Sequence, residues 1–304
     1  WDFDGLHAAD EIFGNRLAAN FLLVGAAYQT GALLLPAAAI EDAITINGTA
    51  VAANIAAFRW GRVAVAEPAV FADAIAGRAP RPRPAPPASV AAADLPVDLV
   101  EVVGRRAADL VAFQDEALAD SYIAAVQRVA TAESALGLGT DLAQTVARNL
   151  FKLTAYKDEY EVARLITDPG FLADTQAAYP GATASFMLHP PVLAAMGRKK
   201  KIAFGPRSRP VLRTLAKMKG LRGTAFDPFG RTEMRTIERG LRDHYAALVQ
   251  QLAADLTADN HDRAVAIAGL PDMVRGYESV KMRNVERYRQ ALASYGLELG
   301  SLGL

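Results

Sequence analysis

Apolar residues recur at helical spacing along much of the chain. One such set is Leu99, Val102, Val103 and Ala107. Three or four residues separate most of its members, which places them on one face of a helix. The same pattern predicts a long helix over residues 108–135, a break at Gly137 and Gly139, and a further helix over residues 141–166.

The first 60 residues predict three short helices, over residues 16–35, 37–46 and 49–60. Pro36 suits the start of the second helix, and Gly61 is typical of the residue that follows a helix. No strand pattern occurs in this part of the chain. A complete α/β domain contains several strands, so this region is expected to be the end of such a domain rather than the whole of it.

Residues 183–206 change character and predict a small sheet. Residues 185–188 and 201–204 are expected to form two short strands, with His189-Pro190-Pro191 and a short helix between them. Ala, the best helix former, dominates the hydrophobic residues. The predicted fold class is therefore mainly α, with at most one small sheet. Four more helices are expected, over residues 210–219, 232–255, 259–268 and 277–294.

A Pro-rich segment separates the predicted helices into two groups. In residues 78–90, Pro alternates with Arg and Ala, which excludes a helix and favours extended, polyproline-like backbone. We interpret residues 78–94 as a semi-rigid linker. The expected domains are therefore residues 1–77 and residues 95–304.

Charge is distributed unevenly along a chain whose net charge is zero. Residues 1–150 hold ten Arg, no Lys and seventeen acidic residues, whereas the remainder holds twenty-three basic and sixteen acidic residues. This asymmetry favours two modules and an electrostatic contact between them.

The strongest anomaly is a basic segment, since no acidic residue occurs between Asp174 and Asp227. Clustered cations must be solvated or must face negative charge. A phosphate-bearing cofactor, an acidic domain or subunit, and nucleic acid are the possible partners. Nucleic acid has the least support, because no aromatic residues interleave with the bases to stack on a strand. The candidate cofactor-binding residues are Lys199, Lys200, Lys201, Arg207 and Arg209.

The end of the basic segment leads into a glycine-rich turn. Residues 220–223 resemble a phosphate loop only loosely, and a plain turn is the simpler interpretation. Phe226 and Phe229 follow, and we expect them to fill a core or an interface. On the next predicted helix Glu238 and Arg242 have the spacing of an ion pair on a solvated face.

Common catalytic and metal-binding motifs are missing from the sequence. The absence of Cys excludes disulfides, Cys-ligated iron–sulfur clusters and a thiol nucleophile within this chain. The four His residues show no metal-ligand spacing, and neither a nucleotide-binding glycine motif nor a GxSxG elbow occurs. The catalytic residues therefore remain unknown, and no metal site is expected.

Several short strings nevertheless resemble a known family. They are NLFKL (149–153), KDEYEVARL (157–165), FMLHPP (186–191), KGLRGT (219–224), DPFG (227–230) and RGY (275–277). These strings resemble the C-terminal region of indolepyruvate ferredoxin oxidoreductase family proteins. Residues 13–61 resemble the end of the gamma-type catalytic domain of 2-oxoacid:ferredoxin oxidoreductases. The two matches follow the order of a long, fused family member.

The resemblance implies part of an enzyme that converts aryl 2-oxo acids to aryl-acetyl-coenzyme A. It implies thiamine diphosphate, Mg, 4Fe-4S clusters and coenzyme A for the whole enzyme, and none of these groups bound by this fragment alone. The implied partners are the N-terminal domains of the same enzyme, ferredoxin or another electron acceptor, and a second copy of the chain. A structural or interaction module without ligand contacts is the alternative.

A few further features of the sequence indicate where the protein is located and whether the chain is part of a longer one. The chain begins with Trp1 and its first Met is Met187, which predicts a piece of a longer protein. The most apolar run, residues 17–35, carries polar residues and is better explained as a buried helix than as a membrane span. We therefore expect a cytoplasmic protein that contacts neither membrane nor nucleic acid.

Overall fold

The structure is a computed structural model, which describes residues 3–76, 84–178, 181, 183–188, 202–276, 278–300 and 302. Within these residues the chain is mainly helical with one two-stranded sheet, as predicted. It divides into an N-terminal unit, Trp1–Arg83, and a C-terminal unit, Pro84–Leu304. The division falls inside the segment interpreted as a linker, of which residues 78–83 lie outside the described part.

The N-terminal unit is built from short helices rich in Ala and Gly. Asp4 caps the first of them, because its carboxylate accepts hydrogen bonds from the backbone N–H groups of Leu6 and His7. The helices are α1 (Gly5–Phe13), α2 (Ala19–Gln29), α3 (Ala37–Asn47), α4 (Val51–Ala66) and α5 (Pro68–Ile75).

Helices α2 and α4 approach each other backbone to backbone. A Cβ added at Gly25 would lie 1.9 Å from the carbonyl oxygen of Phe58, and one added at Gly61 would lie 1.9 Å from that of Leu22. Neither site has room for a side chain. The prediction that Gly61 ends a helix is therefore wrong, because α4 continues through it to Ala66. Glycine is present at this position because its missing side chain allows α4 to contact the backbone of α2.

Other predictions for this unit also need correction. Helices α1 and α5 were not predicted, and the helix expected over residues 16–35 ends at Gln29. Several large apolar side chains in the following stretch are exposed, among them Leu34 at 97% and Ile46 at 86%. Ala50, just before α4, adopts a left-handed conformation with a φ of 45°.

The C-terminal unit contains longer helices around one large core. The core gathers aliphatic side chains with the buried rings of Tyr122, Tyr245 and Tyr288. The helices are α6 (Ala88–Ala92), α7 (Val97–Phe113), α8 (Glu116–Ala135), α9 (Asp141–Thr154), α10 (Glu159–Ile166), α11 (Pro169–Ala178), α12 (Arg209–Lys217), α13 (Glu233–Ala254), α14 (His261–Gly269) and α15 (Glu278–Ser294).

Two predicted helices are interrupted by capping residues. The helix expected over residues 108–135 breaks before α8, where the Asp115 carboxylate accepts a hydrogen bond from the N–H of Leu118. The helix expected over residues 141–166 breaks before α10, where the Asp158 carboxylate accepts one from the N–H of Glu161. In both cases a local side-chain bond competes with continuation of the helix.

The two predicted strands form the sheet. β1 (Phe186–Leu188) pairs antiparallel with β2 (Ile202–Phe204), and Met187 lies opposite Ala203. The helix predicted between them lies outside the described residues.

No helix in the described segments is both long enough and apolar enough to span a bilayer.

Candidate functional site

String 157–165 is far in sequence from strings 219–224 and 227–230, which are near neighbours, and it meets them inside the C-terminal unit. Four of their polar side chains are buried and bond in two pairs. We call this group the buried polar cluster. It consists of Asp158, Tyr160, Arg222 and Asp227.

The first half of the cluster is an ion pair between Asp158 and Arg222, whose side chains are 4% and 3% exposed. The Arg222 Nε lies 2.5 Å from Oδ2 of Asp158, and its Nη2 lies 2.9 Å from Oδ1. The Arg222 Nη1 donates to the carbonyl oxygen of Phe113 at 2.6 Å, and the guanidinium lies 3.6 Å from the centre of the Phe113 ring. A bidentate, stacked geometry of this kind suits Arg and not Lys.

The second half of the cluster centres on the carboxylate of Asp227. It accepts hydrogen bonds from the backbone N–H groups of Gly223 (2.9 Å) and Phe229 (3.1 Å) and from the Tyr160 hydroxyl (3.1 Å). Burial by itself would raise the pKa of Asp227, but these bonds outweigh it and hold the pKa below its usual range. Burial, together with the bond to Asp227, raises the pKa of Tyr160.

These bonds decide what the glycine-rich turn can do. The N–H of Gly223 points at Asp227 and is not free to bind a phosphate. The simpler interpretation of residues 220–223 as a turn therefore agrees with the geometry. Phe229 packs edge-on against Tyr160 at 5.3 Å, as expected of a core residue, whereas Phe226 is 81% exposed.

A second row of charges runs beside the cluster. Glu238 is 7% exposed and lies 2.5 Å from both Arg235 and Lys281. Arg235 also reaches Glu159 at 3.4 Å. The expected pair between Glu238 and Arg242 is therefore wrong, because Glu238 turns inward to two other cations.

The basic segment divides into inward-facing and outward-facing residues. Lys219 donates through Nζ to the carbonyl oxygens of Val111 (2.8 Å) and Ala112 (2.9 Å) at the end of α7. Burial lowers the pKa of Lys219. Together with Arg222, this residue satisfies helix-end and core acceptors, so this end of the segment is structural.

Of the predicted cofactor-binding residues, the structure describes Arg207 and Arg209. Lys199, Lys200 and Lys201 lie outside the described residues. Arg207 is exposed and Arg209 is half-buried, with its Nε hydrogen-bonded to none of the described atoms. Their role as cofactor-binding residues stays a prediction.

One buried acidic residue, Glu133, was not predicted from the sequence. Glu133 is 0% exposed; its carboxylate caps α9 through the N–H groups of Leu142 (2.8 Å) and Ala143 (2.9 Å), and it lies 2.7 Å from Nε2 of His261. A signal was present, because Glu133 continues the apolar spacing of Val126, Val129 and Ala130. An acidic residue on a buried face requires a partner.

The geometry also limits the cofactors. The described segments contain no group of three or more His, Asp or Glu that could hold a metal ion. The chain has no Cys to ligate an iron–sulfur cluster. The described residues therefore offer neither a set of three metal ligands nor the thiolates of a cluster.

Comparison with known proteins identifies a family for the chain but no activity. No curated protein and no solved structure matches it. Residues 99–294, which span α7 to α15, match the sequence profile of DUF6537. The chain therefore belongs to DUF6537, a family of unknown function.

Proposed function

We propose that the chain is part of a thiamine-diphosphate-dependent indolepyruvate ferredoxin oxidoreductase. Such an enzyme oxidatively decarboxylates aryl pyruvates to aryl-acetyl-coenzyme A and passes the electrons to ferredoxin. The buried polar cluster carries the proposal, because in it residues of string 157–165 bond to residues of the distant strings 219–224 and 227–230. Chance likenesses between short strings have no reason to meet in space, whereas a shared fold requires such meetings.

In the proposed enzyme, thiamine diphosphate supplies the carbon chemistry, and 4Fe-4S clusters carry the electrons. Because this chain lacks Cys and the described residues do not fit a metal site, we assign these groups and Mg to other domains. The part left to this chain is to hold a rigid helical body and to present cations to a neighbour.

The neighbour of the basic segment is either a phosphate of coenzyme A or an acidic domain or subunit. Arg207 supports both, since it is exposed and pairs with no acidic residue in the described part of the chain. Several cations that engage one anion together bind more strongly than single surface pairs.

A structural or interaction module without ligand contacts is the second candidate. Two observations favour it. The charges of the buried polar cluster are satisfied by each other, and large apolar side chains of the N-terminal unit, such as Leu34 and Ile46, are exposed. A contiguous exposed apolar patch is typical of an interface, and these side chains would contribute to one.

The decisive experiment is an activity assay on the longer protein that contains this chain. With thiamine diphosphate, Mg, reconstituted clusters and coenzyme A, we expect ferredoxin reduction that depends on indolepyruvate. The isolated 304-residue chain should show no turnover and bind no iron. A longer protein that turns over no aryl 2-oxo acid would contradict the proposed function, and so would turnover by the isolated chain.

A second experiment separates the partners of the basic segment. Lys199, Lys200 and Lys201 are changed to Gln together in the longer protein, and Arg128→Gln serves as an exposed cationic control. If coenzyme A is the partner, its apparent KM rises while assembly is unchanged. If an acidic domain is the partner, the assembly loosens with added salt while KM is unchanged. If neither quantity moves, the segment is solvated.

A further inference from the structure

The loop between residues 223 and 230 holds an exposed aromatic ring on a fixed backbone. Phe226 is 81% exposed at its tip. The carboxylate of Asp227 fastens both ends, through the N–H groups of Gly223 and Phe229, and the Phe226 N–H donates to Oγ1 of Thr224 at 3.2 Å. The backbone under the ring is therefore ordered before any ligand arrives, which reduces the entropy cost of binding.

Two guanidinium groups flank this loop. Arg231 donates through Nη2 to the carbonyl oxygen of Ala225 at 3.1 Å, and Arg239 donates through Nη2 to that of Gly230 at 2.6 Å. Each bond uses one of the five N–H donors of an Arg side chain. Neither guanidinium forms an ion pair with a carboxylate among the described residues.

The two kinds of group suit one class of ligand. A free aromatic face offers a stacking surface to a base, and stacking does not depend on which base is present. Unpaired guanidinium groups bind phosphate oxygens bidentately. Neither a lone surface Phe nor a lone surface Arg would indicate a ligand, but here the loop that carries Phe226 also accepts hydrogen bonds from two Arg side chains beside it.

We propose that this loop binds a purine nucleoside diphosphate, with the base on Phe226 and the phosphates on Arg231 and Arg239. A small nucleotide fits better than a nucleic-acid strand, because the chain as a whole has no net charge. Coenzyme A, which the proposed function requires, also contains an ADP group, but the titration below measures ADP binding without any turnover. The two proposals can therefore fail separately.

The test is calorimetric titration of the 304-residue chain with ADP. We expect saturable binding that weakens about tenfold in Phe226→Ala and is retained in Phe226→Trp, since a stacked base contributes about 1–3 kcal/mol, a change of about 5-fold to 140-fold. Val97→Ala serves as the control, because Val97 is 90% exposed on α7. Its affinity should equal that of the unchanged protein.

The phosphate half of the site has its own variants. Arg239→Lys keeps a positive charge but removes the bidentate fork, so ADP affinity should fall while adenosine affinity stays the same. Circular dichroism verifies that this variant folds, and Arg128→Gln is the exposed cationic control. Absence of saturable ADP binding, equal affinity for inorganic phosphate, or tighter binding of a single-stranded oligonucleotide would each overturn the proposal.

Discussion

In the N-terminal unit, α2 and α4 meet through Gly25 and Gly61, where no side chain separates their backbones. In the C-terminal unit, the ends of α7 and α10 are joined instead through large side chains and buried charges, above all Asp158 and Arg222. A side chain added at Gly25 or Gly61 would destabilise the first arrangement. Removal of one charge of the buried pair would destabilise the second. The two units should therefore fail under different substitutions.

The tryptophans make this difference measurable. Trp1 and Trp60, the only two in the sequence, both belong to the N-terminal unit. Tryptophan fluorescence therefore reports that unit alone, whereas far-UV circular dichroism is dominated by the longer helices of the C-terminal unit. Denaturation followed by both signals assigns each loss of stability to one unit.

The largest effect is expected from Asp158→Ala, which leaves the Arg222 guanidinium buried without its carboxylate. Removing one partner of a buried pair costs about 3–5 kcal/mol. Urea denaturation followed by circular dichroism should show this loss, with the tryptophan transition unchanged. Glu286→Ala is the control, because its contact with Arg289 is exposed and worth about 0–1 kcal/mol. Equal losses in the two variants would refute the structural role of the buried pair.

The next effect is expected from Gly25→Ala in the N-terminal unit. The added methyl would overlap the carbonyl oxygen of Phe58, so α2 and α4 must separate. Overpacking of this kind costs about 1–3 kcal/mol, and the tryptophan transition should shift alone. In the control, Gly5→Ala, the new Cβ meets only the Leu23 side chain at 3.1 Å, which can move away. A Gly25→Ala variant as stable as Gly5→Ala would refute the close contact.

A smaller, pH-dependent effect is expected at Asp227. Its pKa is lowered in the folded protein, so its contribution to stability is present above the unfolded value of about 3.9 and disappears as the pH falls through the folded value. Asp227→Asn should therefore be less stable at pH 7, and the difference should shrink below about pH 4. Denaturation midpoints between pH 7 and pH 3 test this, and a constant difference would contradict it.

The smallest effect is a gain in stability, expected from Ala50→Gly. A left-handed backbone costs about 1–2 kcal/mol in residues with a side chain, and Gly removes this cost. The tryptophan transition should move to higher urea by an amount equivalent to about 1 kcal/mol. Ala53→Gly, inside α4, should instead lose about 1 kcal/mol. A loss in both variants would show that Ala50 is unstrained.

Long periodic segments could be predicted from the sequence, and their interruptions could not. The helix expected over residues 232–255 is α13, Glu233–Ala254, because its apolar spacing persists over many turns. The breaks before α8 and α10 escaped prediction, since apolar spacing continues across them. Only the carboxylates of Asp115 and Asp158, which bond to the following backbone, mark the new helix starts.

The candidate site was less predictable for a different reason. The strings 157–165 and 219–224 were identified, but nothing in one sequence indicates that Asp158 contacts Arg222, 64 residues later. The basic segment was likewise identified as a whole. Its division into inward-facing Lys219 and outward-facing Arg207 depends on which acceptors the fold brings near, namely the carbonyl groups at the end of α7.

Those carbonyl groups also set an order of events during synthesis. Lys219 reaches back 108 residues to Val111, and His261 reaches back 128 residues to Glu133. While the ribosome is still producing the second half of the chain, the end of α7 lacks Lys219 and the Glu133 carboxylate lacks His261. The N-terminal unit closes early, through helices that are near neighbours in sequence. The C-terminal unit must wait for nearly the whole chain, and its incomplete core is the surface that a chaperone would meet.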